Sequence, residues 1–413
     1  MRILVVSNLY PPHYIGGYEL GCHDAVLGLR ARGHLVDVLT SQYGLRQPTA
    51  QEHLFRWLRT DLGWTSTAGW HYLWMLMRKE AANRGALRRV LAVAKPDVVY
   101  FWNLSSVSAS LIEYVRRAHI PSCCFVFDDW LAHLDDTDAW CRWTHSRSTS
   151  RLRRLPKRMF QGVVTSVLPR PDPRASSLRV QFASQFLKDQ AVALGHASID
   201  SPVLYWGVDL AQFPWHQPII EDRRRLLFVG QVVRHKGVHT AVAAVDELRR
   251  RYGWENLELE IVGGSAQGAY LGEISRLIAS LGCEDRVRLR GMVPRCQLAE
   301  IYHNHEILLF PSTWDEPFGI TLLEAMASGT AVVATATGGS REIVDDGQNA
   351  LVFPVGDAAA CARHVDSLLR NPSFASRLRT AARRTVECRF QLDHSVNRIS
   401  ADLARIATQR PTH

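Results

Sequence analysis

Residues 306–339 read EILLFPSTWDEPFGITLLEAMASGTAVVATATGG, a short apolar helix between two strand-like runs. "EILLFPS" (306–312) is continuously apolar until a proline and a serine close it, and "AVVATATGG" (331–339) is a second run rich in β-branched residues. Between them "ITLLEAMAS" (320–328) has helix formers, stopped by Gly329. Strands without polar alternation are buried on both faces, and a helix joining two of them is the crossover of a parallel sheet.

Outward from this stretch the alternation continues. "RRLLFVGQV" reads as a strand and "GVHTAVAAVDELRRR" as a helix with Val238, Val242 and Val245 on one face. "LELEIVGG", "AYLGEISRLIASLG", "DRVRLRGMV" and "AEIYHNH" follow as strand, helix, strand and helix. The N-terminal half repeats the theme: strand "RILVVSN", a glycine turn at "YIGGYEL", a helix through "HDAVLGLRARG", then strands "LVDVLTS", "PDVVYFW" and "PSCCFVF". A chain of 413 residues exceeds one ordinary core. We therefore expect an α/β protein with two Rossmann-like doubly wound domains facing an interdomain cleft. The expected boundaries are 1–204 for the first domain, 205–222 for a proline-rich hinge and 223–385 for the second domain. The expected close is a helix over 386–413 that packs back toward the first domain. Residues 54–90, with Trp57, Trp64, Trp70 and Trp74, read as an insertion in the first sheet whose indoles pack on the core. Lining an acceptor pocket or touching a membrane interface are their other uses.

Composition narrows the function classes. Hydrophobic content of 46% and 22% charged residues describe an ordinary soluble protein. The opening apolar run is too short for a signal peptide, and no stretch approaches the ~20 apolar residues of a membrane span. The eight cysteines are scattered without CxxC pairs, which suggests reduced thiols in a cytoplasm and gives no zinc site. Net charge is +9, and residues 142–174 hold nine Arg/Lys against one acid, Asp172. Such a segment is most often a solvated face, but it suits an anionic lipid surface or an acidic substrate too. No recognised motif supports nucleic acid. The expected location is cytoplasmic, with peripheral contact at the inner membrane face as an option; the oligomeric state stays open.

The chemistry lies around the opening stretch. Glu316 precedes a Pro-Phe-Gly turn and Glu324 follows about one turn into the helix. Gly319, which lacks a side chain, lets a ligand approach the first helical N–H groups, which have no internal partner and attract phosphate. Glu324 is placed to accept hydrogen bonds from vicinal hydroxyls such as a ribose offers, and Glu316 to meet the ligand's other end. Sugar, diphosphate and ribose in that order fit a nucleotide sugar. "FVGQVVRHKG" adds a second phosphate element ending in Arg234, Lys236 and Gly237. A lysine there can stabilise charge on a departing nucleotide.

With these residues assembled, the chain resembles the retaining glycosyltransferases of family 4, which have the GT-B architecture. "EPFGITLLE" matches that family's E-x7-E element. "FVGQVVRHKG", "LEIVGGS" and "GGSREIVDDGQNALVFPVGD" are similar to its successive nucleotide-side segments, "NLYPPHYIGGYEL" to its N-terminal glycine loop, and "WGVD" (206–209) to its interdomain turn. The resemblance implies a metal-independent hexosyltransferase that uses a nucleoside-diphosphate sugar as co-substrate and no further cofactor. It implies that Glu316 orients the sugar, Glu324 binds ribose, and Lys236 binds phosphate. The backbone from Phe318 through Gly319, Ile320 and Thr321 to Leu322 would hold sugar and diphosphate. Gly16 and Gly17 would face the donor, and the chain at Met292–Val293 would touch the base. No DxD motif suggests a metal.

Two positions depart from the family pattern. Gln231 stands where an arginine usually follows the glycine of the phosphate element; Arg234 is the candidate to compensate. Phe127 stands where many members have a histidine facing the sugar. Asp128 or Asp129 contacts the sugar or the acceptor nucleophile in its place, or else one of them caps the next helix. The acidic run Asp135–Asp138 reads as a solvated loop. A nucleotide-sugar epimerase and a non-catalytic nucleotide-sugar-binding protein are the alternatives. Base, sugar and acceptor are not encoded in these motifs.

Overall fold

The computed structural model describes residues 1–45, 47, 49–62, 69–134, 138–145, 151–168, 179–217, 223–265 and 268–409, with the backbone alone at 151–158. It divides into two compact units, Met1–Leu204 with Val396–His413, and Tyr205–Ser395.

In the first unit the order is β1 (Arg2–Val6), α1 (Gly17–Ala31), β2 (Leu35–Ser41), β3 (Thr49–Gln51), β4 (Leu54–Leu58), α2 (Gly69–Ala94) and β5 (Val98–Phe101). Then come α3 (Ser110–Arg117), β6 (Ser122–Val126), α4 (Ala139–His145), α5 (Arg151–Val167), β7 (Val180–Phe182) and α6 (Gln185–Ala193). Among the described residues the sheet has seven strands in the order β3-β4-β2-β1-β5-β6-β7. All neighbours are parallel except β3, which returns antiparallel on β4. The apolar runs explain the centre: Ile3 to Val6 and Val98 to Phe101 are buried, as a doubly covered parallel sheet requires.

The second unit runs β8 (Arg224–Val229), α7 (Val238–Tyr252), β9 (Leu257–Val262), α8 (Gly268–Ser280), β10 (Val287–Gly291), α9 (Leu298–His303) and β11 (Ile307–Phe310). It continues with α10 (Ile320–Ser328), β12 (Ala331–Ala334), β13 (Leu351–Val352), α11 (Ala358–Arg370) and α12 (Pro372–Arg389). α13 (Leu392–Thr408) gives its first residues to this unit and the rest to the other. Six strands among the described residues lie in the order β10-β9-β8-β11-β12-β13, all parallel. This is the doubly wound order, whose direction reverses between β8 and β11. Helix α10 is buried from Leu322 to Ser328, which accounts for its apolar composition all round.

Several boundaries differ from expectation. Residues 54–58 are no insertion: they form β4, paired in parallel with β2 from Val38↔Leu54 onward. The indoles are not all core. Trp57 is half-buried, whereas Trp70 and Trp74 are 80% and 53% exposed; Trp64 lies outside the described residues. The hinge at 205–222 and the tail from 386 are drawn differently too, because 205–217 and 386–395 pack together inside the second unit. Val208 N donates to Phe390 O at 2.9 Å and Leu392 N to Val208 O at 3.0 Å. A Cβ on Gly207 would lie 2.3 Å from the Gln391 carbonyl carbon, so only glycine permits that approach. From Val396 onward the chain packs on the first unit, with Arg32 Nε donating to Asn397 Oδ1 at 2.7 Å and Gln181 Nε2 to Asp402 Oδ2 at 2.7 Å. No described helix is long and apolar enough to cross a membrane.

Candidate active site

The reversal between β8 and β11 leaves a crevice at the strands' C-terminal ends, where open α/β sheets bind ligands. The loop after β8 ends in a short turn, Arg234–Lys236, and Gly237 follows at φ +70°. A Cβ at Gly237 would sit 1.8 Å from Pro311 O, so the bare residue lets the loop after β11 close on it. Thr313 N donates to His235 O at 2.8 Å and joins the two loops. As a result Lys236 Nζ reaches both Glu316 oxygens, at 2.8 and 2.7 Å, and Ser312 Oγ donates to Oε1 at 2.6 Å. The Glu316 side chain is 4% exposed and that of Lys236 23%. The ammonium also stands 5.4 Å from the Trp314 ring centre.

The loop after β12 fixes the Glu316 backbone. Gly339 N donates to Glu316 O at 2.6 Å and Gly338 N to Asp315 Oδ1 at 3.0 Å. Gly319 then opens α10 at φ +126°, a conformation closed to most side chains. The Phe318 ring is buried against Tyr205 and Phe390, leaving its backbone as the functional part. Glu324 is buried and accepts a hydrogen bond from Tyr302 Oη at 3.0 Å. Burial, and next the Glu324 charge, push the Tyr302 phenol well above its ordinary range, so it stays a donor. An ammonium, a buried carboxylate held by it and the positive end of a helix therefore share one crevice.

The first unit has a comparable reversal between β1 and β5. Gly16, extended at φ −158°, caps α1, and Glu19 in the first turn folds back to accept from Gly16 N at 3.0 Å and Ile15 N at 3.3 Å. Asn103, just beyond β5, donates to the other Glu19 oxygen at 3.2 Å. Burial raises the Glu19 carboxyl, against the pull of these hydrogen bonds. Beside it, Phe127 packs edge-on against Tyr18. Asp128 accepts from Trp130 N at 3.0 Å, capping the short turn Asp129–Leu131. Desolvation lifts the Asp128 carboxyl to about 7. Asp129 is more open and lies 3.7 Å from His133.

Residues 211–385 match the family model described as glycosyl transferases group 1, and residues 16–166 match the glycosyl transferase 4-like domain. Together they span both crevices. The chain belongs to the family 4 glycosyltransferases of the GT-B fold. It is 27% identical to the glycogen synthase of Mycobacterium tuberculosis over 415 residues, covering 94% of this chain and 91% of that one. Sucrose-phosphate synthase from Thermosynechococcus elongatus has a TM-score of 0.71 at 20% identity, with 98% of each chain covered. Anabaena Alr3699/HepE, solved in complex with UDP-glucose, has a TM-score of 0.65 at 17% identity, with 98% of this chain and 99% of that one covered.

In this glycosyltransferase the structure brings together Lys236, Glu316, Gly319 and the start of α10, and sets Glu324 on the same helix. Other expected residues stand differently. Arg234 is ion-paired with Glu273 of α8 and lies 5.3 Å over Tyr270, so a compensating phosphate contact requires it to leave that pair. Leu322 N already donates to Gly319 O at 3.2 Å. Gly17 is the first residue of α1, which begins six residues before the expected onset at His23. Gln231 is half-buried, and so is Val293, next to the exposed Met292. Of the acidic run, Asp138 is no solvated residue: it is buried and accepts from Ala109 N and Cys141 N at 2.7 and 2.8 Å. Asp135 and Asp136 lie outside the described residues.

Sequence reasoning missed Ser312, Tyr302, Trp314, Glu19 and Asn103. Ser312 was within reach, since it ends a strand four residues before Glu316. Glu19, three residues after Gly16, supplies the back-reaching half of a capping box, without the Ser or Thr that ordinarily opens one. Tyr302 and Asn103 come from other strand–helix units, and only the sheet order brings them close.

Proposed function

We propose that this glycosyltransferase moves a sugar from a nucleoside-diphosphate sugar to an acceptor hydroxyl with retention of anomeric configuration. The observation that carries the reading is the Lys236–Glu316–Ser312 cluster beside the open N-terminus of α10. An ammonium has three N–H donors, and two contacts to Glu316 leave one for a phosphate oxygen. The amides of Ile320 and Thr321 take the diphosphate, and Glu324, held by Tyr302, takes the ribose hydroxyls. Glu316 positions the sugar and is assigned no covalent role. The bond from C1 to the phosphate oxygen breaks with its electron pair passing to the leaving diphosphate. The acceptor oxygen then bonds to C1 and releases its proton to a phosphate oxygen. Charge on the leaving group is met by Lys236 and the helix amides in a preorganised site. The complex of Anabaena Alr3699/HepE with UDP-glucose makes uridine diphosphate the first base to test.

A thermal-shift screen against nucleoside diphosphates reads the donor directly, because a ligand that binds only the folded state raises its stability. At least one diphosphate is expected to raise Tm in the parent and to lose that effect in Lys236→Ala. Chelation with EDTA is expected to leave turnover unchanged. Donor incubated without acceptor is expected to keep its sugar configuration; an epimerised donor would favour the rival chemistry.

A further inference from the structure

Over residues 159–167, helix α5 (Arg151–Val167) is apolar on two sides but packed on one. Val164 is buried with Trp140 and Leu76, and the Phe160 ring meets that of Trp143. On the outer side Met159, Val163 and Val167, spaced i, i+4 and i+8, are 67%, 69% and 63% exposed. A helix packed on one face ordinarily carries polar residues on the other, and in the described half of α5, 159–167, three large aliphatic side chains stand there beside Gly162 and Ser166. Two indoles from the start of α2 extend the stripe. Trp70 is 80% exposed and meets Phe160 edge-on with 6.3 Å between ring centres, and Trp74 is 53% exposed. Isolated exposed apolar side chains are ordinary, but a contiguous set marks a surface that something covers.

The charge around the patch selects the occupant. Five of residues 151–158 are Arg or Lys, and α5 contains no carboxylate. Along α2 the basic residues Arg78, Arg84, Arg88 and Arg89 are accessible, while its one acid, Glu80, is buried. Arg78 lies 4.5 Å over the Trp74 ring, which joins the cationic and aromatic parts of the surface. Accessible arginines beside an aliphatic and indole stripe, on a helix whose sequence adds five cationic residues and no acid, fit a surface that is anionic outside and apolar a few ångströms below. Tryptophan favours that boundary, and basic amphipathic helices lie in it.

We infer that the α2–α5 face of the first unit docks this enzyme on an anionic phospholipid bilayer. Glu324, Lys236 and the donor crevice take no part, so the donor reading can fail without affecting it. The test is flotation of the full chain with vesicles of phosphatidylcholine containing about 30 mol % phosphatidylglycerol, beside vesicles of phosphatidylcholine alone. The chain is expected to float with the anionic vesicles, to be released by about 0.5 M salt, and to stay unbound with the neutral ones. A Met159→Glu/Val163→Glu variant, changed only at exposed positions, is expected to lose roughly tenfold or more in partitioning. Its Tm and its donor-dependent Tm rise are expected to match the parent. Failure to float with anionic vesicles would overturn the inference, as would equal binding to neutral vesicles or undiminished binding by the variant. A dimer abolished by the same pair of changes would also overturn it, by assigning the face to a second copy of the chain.

Discussion

Lys236 and Glu316 depend on each other more than either depends on solvent. The carboxylate is nearly buried, and two of its contacts come from one ammonium. Removing Lys236 therefore deprives the leaving diphosphate of a cation and leaves Glu316 to Ser312 alone. Lys236→Ala is expected to reduce kcat by about 10² to 10³, the scale of losing one preorganised electrostatic contact. Glu316→Gln keeps the shape and is expected to lower kcat with little change in donor Kd, measured by steady-state kinetics beside titration calorimetry. A second residue-scale prediction concerns pH. Burial pushes Glu80 from its ordinary 4.5 to about 7, against the pull of Lys79. Between those values the folded protein keeps a proton that the unfolded chain has released, so stability falls as pH rises from 4.5 to about 7 and then levels off. Glu80→Gln cannot ionise, so its Tm is expected to exceed that of the parent at pH 8 and to match it near pH 4. The E-x7-E pair and Lys236 were legible in the sequence because each sits in a short contiguous motif, although 80 residues separate Lys236 from Glu316. Tyr302 and Asn103 were not, since what each touches is decided by packing between segments distant in sequence, whereas Ser312 lies only four residues from its partner Glu316.

At the scale of elements, loops at the strand ends are held by groups that leave no room for substitution. Gly237→Ala would drive a methyl into Pro311 O and part the loops that join Lys236 to Glu316. Loss of the donor-dependent Tm rise is the expected readout, with far-ultraviolet circular dichroism unchanged. At the start of α1, Glu19 answers two backbone amides and Asn103. Glu19→Ala removes the acceptor of the buried Asn103 amide and of two part-buried backbone amides and is expected to cost about 1–3 kcal/mol in urea unfolding, whereas Glu19→Gln recovers part of it. The alternation of apolar strands and helices was readable because each run is short, continuous and closed by a turn residue. The onset of α1 was not, because Gly16 and Gly17 read as a turn until the Glu19 cap is recognised. β4 reads as part of an insertion for a similar reason. Its Arg56 breaks the apolar run, yet it is buried because its guanidinium donates to Tyr10 O and Pro11 O.

For the whole molecule, the two-domain plan followed from length and from two series of alternating elements, and the parallel order within each sheet from the buried strands. The return of the C-terminal helix to the first unit was expected; what sequence could not supply is where it begins, since 386–395 stays with the second unit and the remainder of α13 packs on the first. A chain ending at Ser395 loses the Arg32–Asn397 and Gln181–Asp402 contacts. It is expected to show faster limited proteolysis within 1–204 than the full chain. The most direct test of the central claim is a crystal structure of the enzyme with UDP-glucose or its nearest binding analogue. The account predicts diphosphate oxygens within hydrogen-bonding distance of Lys236 Nζ and of the Ile320 and Thr321 amides, with the ribose on Glu324. A donor seated elsewhere, with the Lys236–Glu316 pair undisturbed and Glu324 untouched, would contradict it.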